Sequence, residues 1–293
     1  MPELPEVETT VKGLNSKVLK RTFVDVWSDW PKLIKKPKDF GQFKKDLKNK
    51  KIIKIWRRAK NIIFNLSGNY SLLVHQKMTG HLLVGEWEQK DGKWLPQKQG
   101  PLNDPYNRFL HLIFFLDNGN MMALSDARKF AKVELWKTND LLGSEDFKKI
   151  GPEPLEKSFT FIKFKEALGK KKSGRIKQVL MNPEVIAGIG NIYSSEILWQ
   201  AKVHPEKSIA KLSEEELELL YQATKKVLAL GVKLGGESFS DYRKPDGSKG
   251  DFDAERKAYK REGQKCSRCG TKIKRIKFGG RSAFFCPSCQ PFD

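Results

Sequence analysis

Four things are scarce in this chain, and each scarcity narrows the reading. Cysteine is absent from the first 265 residues, so no disulfide framework can staple the body of the protein. Long apolar runs are absent too. The strongest, Leu112-Ile113-Phe114-Phe115-Leu116, is far too short to span a bilayer. The first residues carry Glu3, Glu6 and Glu8 rather than basic residues before an apolar stretch, so they do not read as a signal peptide. Acid is in deficit: 35 Asp and Glu stand against 56 Lys and Arg, a net charge of +21. A surplus spread along the whole chain favours folded basic surfaces and a polyanionic partner. No amphipathic basic anchor stands out, which leaves a membrane surface the weaker partner.

What cysteine there is lies in the last thirty residues, as Cys266-Ser-Arg-Cys269 and Cys286-Pro-Ser-Cys289. The spacing C-x2-C-x16-C-x2-C is that of a tetrahedral four-thiolate zinc site. Two disulfides or two redox pairs are the alternatives. The segment between the pairs, Thr271 to Phe285, is long enough for a hairpin and too polar for a core, so metal would supply much of its folding energy. Lys265, Arg268, Lys272, Lys274, Arg275, Lys277 and Arg281 make that hairpin cationic, a form suited to phosphate.

The periodicity changes along the chain. Leu4, Val7, Val11, Leu14 and Val18 recur at steps of three and four, one apolar face of a helix with Pro5 in its first turn. Segments 51–57, 61–66, 71–77, 109–116, 121–125 and 132–136 read as strands, with Asp117-Asn118-Gly119 as a hairpin turn. Residues 86–107 read as a loop or an extended hairpin tip. Residues 137–154 lack periodicity and contain Gly-Pro-Glu-Pro, so they read as a linker. Beyond it, 159–168, 175–181, 191–201 and 214–234 read as helices, the last with a Ser213/Glu216 capping box. The Gly188-Ile-Gly190 step ahead of Asn191 is either a tight interhelical turn or a backbone anion site. Residues 235–250 are rich in Gly, Ser and Asp and read as a mobile loop.

The expected class is α+β. An N-terminal helix and two-sheet β-sandwich (1–136) is followed by a linker (137–154), a helical domain (155–258) and a zinc hairpin (259–293).

The chain starts Met1-Pro2-Glu3-Leu4-Pro5-Glu6-Val7-Glu8. Removal of Met1 would leave Pro2 with a free secondary amine. An α-amine has a pKa of ~7.7–8.0 and is partly uncharged at neutral pH, whereas lysine at ~10.4 is not. Such an amine attacks an aldehyde-level carbon to give an iminium, and Glu3 beside it is a candidate proton donor. The plainer reading is that these carboxylates complement a helix dipole.

MPELPEVET at the start, AGIGNIYSSEILW in the helical half and GRSAFFCPSCQ at the end resemble the formamidopyrimidine-DNA glycosylase family, in order and over essentially the whole chain. The resemblance implies a helix-two-turn-helix fold for the helical domain. It also implies a bifunctional base-excision repair enzyme, which removes 8-oxoguanine and formamidopyrimidines and cuts the strand by β,δ-elimination. By resemblance Pro2 is the Schiff-base nucleophile, Glu3 the proton donor and Lys60 an essential lysine that contacts phosphate and assists elimination. His75, Asn191 and Arg281 grip phosphate, Arg281 also serving elimination. Met78, Arg128 and Phe130 fill the gap left by the extruded nucleotide and meet the orphaned cytosine. Lys172 and Tyr259 are further backbone contacts, and Cys266, Cys269, Cys286 and Cys289 hold one structural zinc. The partner implied is damaged double-stranded DNA, bound by a cytoplasmic, nucleoid-associated monomer.

Some positions depart from the family pattern. Phe109 stands where a histidine is usual, Leu180-Met181-Asn182-Pro183 where Leu-Asp-Gln is frequent, and Ala131 and Lys260 replace common glycines. The rivals are the endonuclease VIII branch, which prefers oxidised pyrimidines, and a non-catalytic zinc DNA-binding protein. Leu4, Met78, Arg128 and Phe130 argue against the first. The second leaves Pro2 and Glu3 without a use.

Overall fold

The computed structural model describes residues 1–292. By contacts the chain forms two compact units: Met1–Lys148 with Leu234–Asp253, and Lys149–Lys233 with the residues from Ala254 onward.

In the first unit, α1 (Leu4–Val18) buries the predicted stripe Leu4, Val7, Val11, Leu14 and Val18. β1 (Phe23–Trp27), β2 (Ile34–Lys36) and α2 (Phe40–Leu47) follow, none of them anticipated. β3 (Ile52–Arg58), β4 (Asn61–Leu66), β5 (Tyr70–His75) and β6 (His81–Gly85) come next. Then come β7 (Trp87–Lys90), β8 (Lys93–Pro96), β9 (Leu110–Leu116), β10 (Met121–Ser125) and β11 (Lys132–Lys137). The sheets are β1-β9-β10-β6 and β2-β11-β5-β4-β3, with β2 and β11 parallel and the other pairs antiparallel. Alternation sends Leu112 and Phe114 of β9, and Ile62 and Phe64 of β4, into one core with the α1 stripe.

Both sheets also carry apolar residues on their outer faces, and that explains two stretches without clear period. Leu83, Ile113 and Ala123 lie on the outside of the four-stranded sheet. Trp87, Trp94 and Leu102, from residues 86–107, cover them. Ile63 and Leu73 lie on the outside of the five-stranded sheet, where Leu141 and Phe147 cover them. Those two belong to α3 (Thr138–Gly143) and α4 (Glu145–Lys148), which fall inside the expected linker. Much of 137–154 is therefore packed structure. The segment 234–253 likewise groups with the sandwich unit rather than with the helical one.

The second unit contains α5 (Phe161–Gly169), α6 (Ile176–Leu180), α7 (Asn191–Ala201) and α8 (Glu214–Lys233). It ends in the hairpin β12 (Lys274–Phe278) and β13 (Arg281–Phe285). The Ser213/Glu216 box forms as read: Ser213 N–H donates to the Glu216 carboxylate at 2.9 Å and Glu216 N–H to Ser213 Oγ at 3.1 Å. No helix among the described residues is long and apolar enough to cross a membrane.

Candidate nucleic-acid and active site

Pro2 is buried and Glu3, the N-cap of α1, is 2% exposed. Their position is set by Glu6, a carboxylate that is itself 1% exposed. One Glu6 oxygen accepts the Glu3 N–H at 2.8 Å and the other accepts the Glu237 N–H at 2.7 Å. The Glu6 carbonyl accepts from Thr10 at 2.9 Å and from the Tyr242 hydroxyl at 3.0 Å. Burial pushes the Tyr242 phenol far above its ordinary range, so it stays a donor. Gly236 has φ +84° and a Cβ there would sit 2.8 Å from Glu6 Cγ, so glycine is required on both counts. The segment expected to be mobile is thus tied to α1. Asn107 Nδ2 adds a bond to the Gly247 carbonyl at 3.1 Å, and Val84 N–H one to Pro245 at 2.7 Å.

Lys60 lies in the β3–β4 turn beside Ala59, whose φ is +51°. The half-buried Arg57 braces that turn: Nε pairs with Glu8 of α1 at 2.9 Å and Nη1 donates to the Ala59 carbonyl at 3.0 Å. Asn61, next to Lys60, pairs across the sheet with His75, and His75 pairs on its other side with Lys132. Burial first, then the charges of Lys77, Lys60 and Lys132, push the His75 pKa down to about 3. Its Nδ1 accepts the Lys77 N–H at 3.0 Å, which leaves the proton on Nε2. His75 is therefore a neutral donor among cations.

Met78, Arg128 and Phe130 are brought to one place by Asp126, which is fully buried. Thr79 Oγ1 donates to the Asp126 carboxylate. The same carboxylate accepts from Arg128 N–H at 3.3 Å and Ala131 N–H at 2.7 Å, and Arg128 N–H also reaches Thr79 Oγ1 at 3.1 Å. Around this post the Arg128 guanidinium stacks on the Phe130 ring at 4.6 Å. Met78 and Phe130 are left 40% and 52% exposed, so a partner can reach both. Ala131, in place of a common glycine, is buried without a positive φ and costs nothing in backbone strain. Lys260 does adopt φ +55°, the region a glycine would take freely. The parts Asp126, Thr79, Glu6 and Arg57 play are absent from the sequence reading. Asp126 lies two positions before Arg128, but nothing local marks it as the post.

In the second unit, Gly190 caps α7 and Asn191 is its first residue. Buried Lys177 of α6 donates to the Asn191 carbonyl at 3.2 Å and to Ser194 and Ser195 Oγ at 2.8 Å each, fixing that first turn. Arg281 opens β13 after the Gly279-Gly280 turn, and its Nη1 lies 3.5 Å from Met181 sulfur. A Cβ on Gly279 would overlap Gln178 Nε2, so the hairpin tip is seated against α6. Tyr259 is half-buried against Phe284 at 5.3 Å, and its N–H donates to Glu196 at 2.7 Å. Lys172 is exposed; its carbonyl accepts the Ala210 N–H at 3.0 Å.

The ligand sulfurs of Cys266, Cys269, Cys286 and Cys289 all lie within 4.8 Å of one another. Tetrahedral zinc with bonds of ~2.3 Å sets sulfurs about 3.8 Å apart, so the set closes on zinc with little movement. The thiols are mismatched without an ion: hydrogen bonds from Thr271 draw Cys269 down to about 6, while burial pushes Cys286 up to about 12. Trp199 Nε1–H donates to Cys266 sulfur at 3.4 Å, an outer contact that orients the ligand.

Comparison with known proteins agrees with this anatomy. The family model for the formamidopyrimidine-DNA glycosylase N-terminal domain matches residues 1–133, and that for its H2TH domain matches 150–243. A zinc finger found in FPG and IleRS matches 263–291. With the clustered thiols, this gives the protein one structural zinc. Formamidopyrimidine-DNA glycosylase of Pelotomaculum thermopropionicum is 38% identical, covering 99% of each chain, and that of Ligilactobacillus salivarius is 36% identical, again over 99% of each. A solved complex of a mutant Lactococcus lactis FPG with Fapy-dG-containing DNA superposes with TM-score 0.86 at 35% identity, covering 99% of this chain and 100% of that one. The Lactococcus lactis enzyme with abasic-site DNA gives 0.85 at 34%, with the same coverage. The chain belongs to the formamidopyrimidine-DNA glycosylase family, DNA glycosylases of base-excision repair that also act as abasic-site lyases.

Proposed function

We propose that the protein excises oxidised purines from duplex DNA through the amine of Pro2, freed by removal of Met1. The observation that carries the reading is the fixing of the chain's first residues: Glu3 is buried at the N-cap and its N–H is held by a buried carboxylate. An amine kept in one place, next to a carboxyl group, is what covalent catalysis by a chain terminus requires.

The amine attacks C1′ of the damaged nucleotide. The glycosidic bond breaks, its electron pair leaves with the base, and Glu3 supplies the proton that the base takes away. Loss of the amine proton leaves an N,O-acetal at C1′; the C1′–O4′ bond then breaks, O4′ taking up a proton as the nitrogen lone pair forms the iminium, which acidifies C2′ and allows the 3′ and then the 5′ phosphate to depart by β,δ-elimination. Lys60 and Arg281 bind those phosphates, joined by the neutral His75 Nε2–H, Asn191, Lys172 and Tyr259. A base inside a duplex cannot be reached at C1′, so the nucleotide must be extruded at a cost of a few kcal/mol. Met78, Arg128 and Phe130, grouped by Asp126, fill the gap. Arg128 donors suit the acceptor edge of a widowed cytosine. This supports 8-oxoguanine opposite cytosine over thymine glycol, and faster turnover of thymine glycol would move the protein to the pyrimidine-preferring branch. The net charge of +21 and the zinc-bound thiolates fit work at the nucleoid in a reducing cytoplasm.

Borohydride reduction on 8-oxoguanine duplex tests the proposal. A stable adduct should form, and peptide mapping should place it on Pro2. An N-terminal tag left in place turns the amine into an amide, so adduct and cleavage should vanish while duplex binding persists. A verified free Pro2 that gives no adduct on 8-oxoguanine or abasic DNA would overturn the reading.

A further inference from the structure

One cavity is lined by none of the residues assigned above to catalysis or DNA contact. It holds about 460 Å3, within the size range of ligand pockets. The β7–β8 hairpin makes one wall, and the ends of β1 and β9 make the other. Trp27 and Trp94 meet edge to face inside it, with ring centroids 5.4 Å apart, and Phe109 adds a third ring. Trp94 Nε1–H is buried without a partner among the described residues, and packing against Trp27 and Phe115 holds the indole at the cavity. The polar groups are arranged around these rings. Lys93 and Arg108 are exposed, and the Arg108 guanidinium lies 5.0 Å from the centroid of Phe109. Asp29, paired with His111 at 2.9 Å, is the one carboxylate of the lining.

We propose that this cavity receives an unstacked nucleotide of a bound DNA strand. Its base lies among Trp27, Trp94 and Phe109, its phosphate meets Lys93 and Arg108, and Asp29 accepts from an exocyclic amine. Aromatic faces with cations along the backbone are the usual chemistry for unpaired nucleic acid. A cationic rim excludes a cationic ligand, and one carboxylate among two cations selects an occupant with both N–H donors and negative charge. Continuity with the gap-filling loop points to a strand rather than a free nucleotide. The Phe109 carbonyl accepts the N–H of Asp126 at 2.9 Å, and Leu110 pairs with Ser125. The lining residue Phe109 and the post that carries Arg128 and Phe130 are therefore neighbours across one strand pair. The inference rests on the DNA-binding reading above, and deepens it by giving a use to the 86–107 segment and to Phe109.

The test compares a blunt undamaged duplex with the same duplex bearing a short single-stranded extension that contains 2-aminopurine. Wild-type protein should quench the 2-aminopurine and bind the extended duplex about tenfold more tightly, the scale of one stacked base. Trp94→Ala should remove the advantage, and Lys93→Glu, at an exposed turn outside the core, should cut it severalfold with an unchanged unfolding midpoint. No advantage in the wild type, or an advantage unchanged in Lys93→Glu, overturns the proposal. Equal affinity for free 2-aminopurine nucleotide overturns its assignment to a strand. Failure of the wider reading would look different: neither duplex would bind, and no borohydride adduct would form.

Discussion

The first helix and the last hairpin are held by different physics. α1 brings four aliphatic side chains, Val7, Val11, Leu14 and Val18, to a core shared with both sheets, and its terminus is then set by hydrogen bonds to Glu6. The terminal hairpin contributes only four side chains, Cys266, Ile273, Phe284 and Cys286, to its buried cluster, which Trp199 of α7 and Ala258 complete, and two of the four are cysteines. Hydrophobic burial at ~25 cal/mol per Å2 can fix the former, but the latter needs its metal. One end is positioned by packing with a buried carboxylate, the other by four thiolates. The two should fail separately.

The largest expected effect is at the hairpin. Structural zinc in such modules is worth an apparent ~10–16 kcal/mol, more than a small hairpin can replace. Cys286→Ser or prolonged chelation should melt residues 259–292 and abolish tight duplex binding. The sandwich melting transition, followed by calorimetry, should stay. Coupled loss of both transitions would show that the ends are not independent, and zinc-free protein with intact thiols and full DNA affinity would remove the metal's role.

The complementary break is at Glu6. Glu6→Ala leaves the Glu3 and Glu237 N–H groups without their acceptor, at roughly 1–3 kcal/mol each. The sandwich transition should fall by several degrees, and borohydride trapping at Pro2 should slow more than tenfold. Zinc content should remain one per chain. Glu6→Gln keeps one acceptor and should fall between. A Glu6→Ala protein that traps at the wild-type rate would mean the terminus is fixed by something other than this carboxylate.

The contrast also explains what could be read ahead of the structure. Both ends advertise themselves locally: five apolar residues at helical spacing, and two C-x-x-C turns. The middle does not. α2 buries just Phe43 and Leu47, too few to show a period. α3 and α4 are single turns whose Leu141 and Phe147 make sense only beside Ile63 and Leu73, far away in the sequence. Residues 235–250 have the composition of a mobile loop, yet the bond from Glu237 to Glu6 spans 231 positions, beyond any local window. The site divides in the same way. The resemblance nominated the candidate motif residues, whereas the groups that hold them, Asp126 and Arg57 above all, emerge only from contacts between segments distant in the sequence.

A smaller effect is expected at Asp126. Asp126→Asn keeps an acceptor but loses the charge that draws together the Arg128 and Ala131 N–H groups and the Thr79 hydroxyl. Preference for cytosine opposite 8-oxoguanine should drop severalfold, because Arg128 is no longer held in one pose, while affinity for undamaged duplex changes little. The ratio of cleavage rates with cytosine and adenine opposite the lesion reads this directly. An unchanged ratio would show that Arg128 is positioned without Asp126.

The smallest effect concerns His75, where charge and hydrogen bonding make opposite forecasts. Its pKa is pushed down to about 3 by burial and three lysines, from an ordinary value near 6.5. The imidazole is therefore neutral in the folded protein across the physiological range, and Nε2–H offers a phosphate a hydrogen bond but no charge. Undamaged-duplex affinity at fixed salt should then change little between pH 8 and pH 6. A tenfold gain centred near pH 6.5 would show a protonated ring instead. The sign for stability is opposite to that of a histidine that gains an anionic partner. Below about 6.5 the unfolded chain takes up a proton that the folded chain refuses until about pH 3, so stability is lost as pH falls through that window. His81, buried and pushed down to about 4, acts in the same direction. His75→Gln should accordingly flatten, but not abolish, the acid limb of a stability–pH curve. It should also weaken duplex binding with no change in the slope of log affinity against log salt, because a neutral donor releases no counterion. A slope reduced by about one would mean that His75 meets the phosphate as a cation.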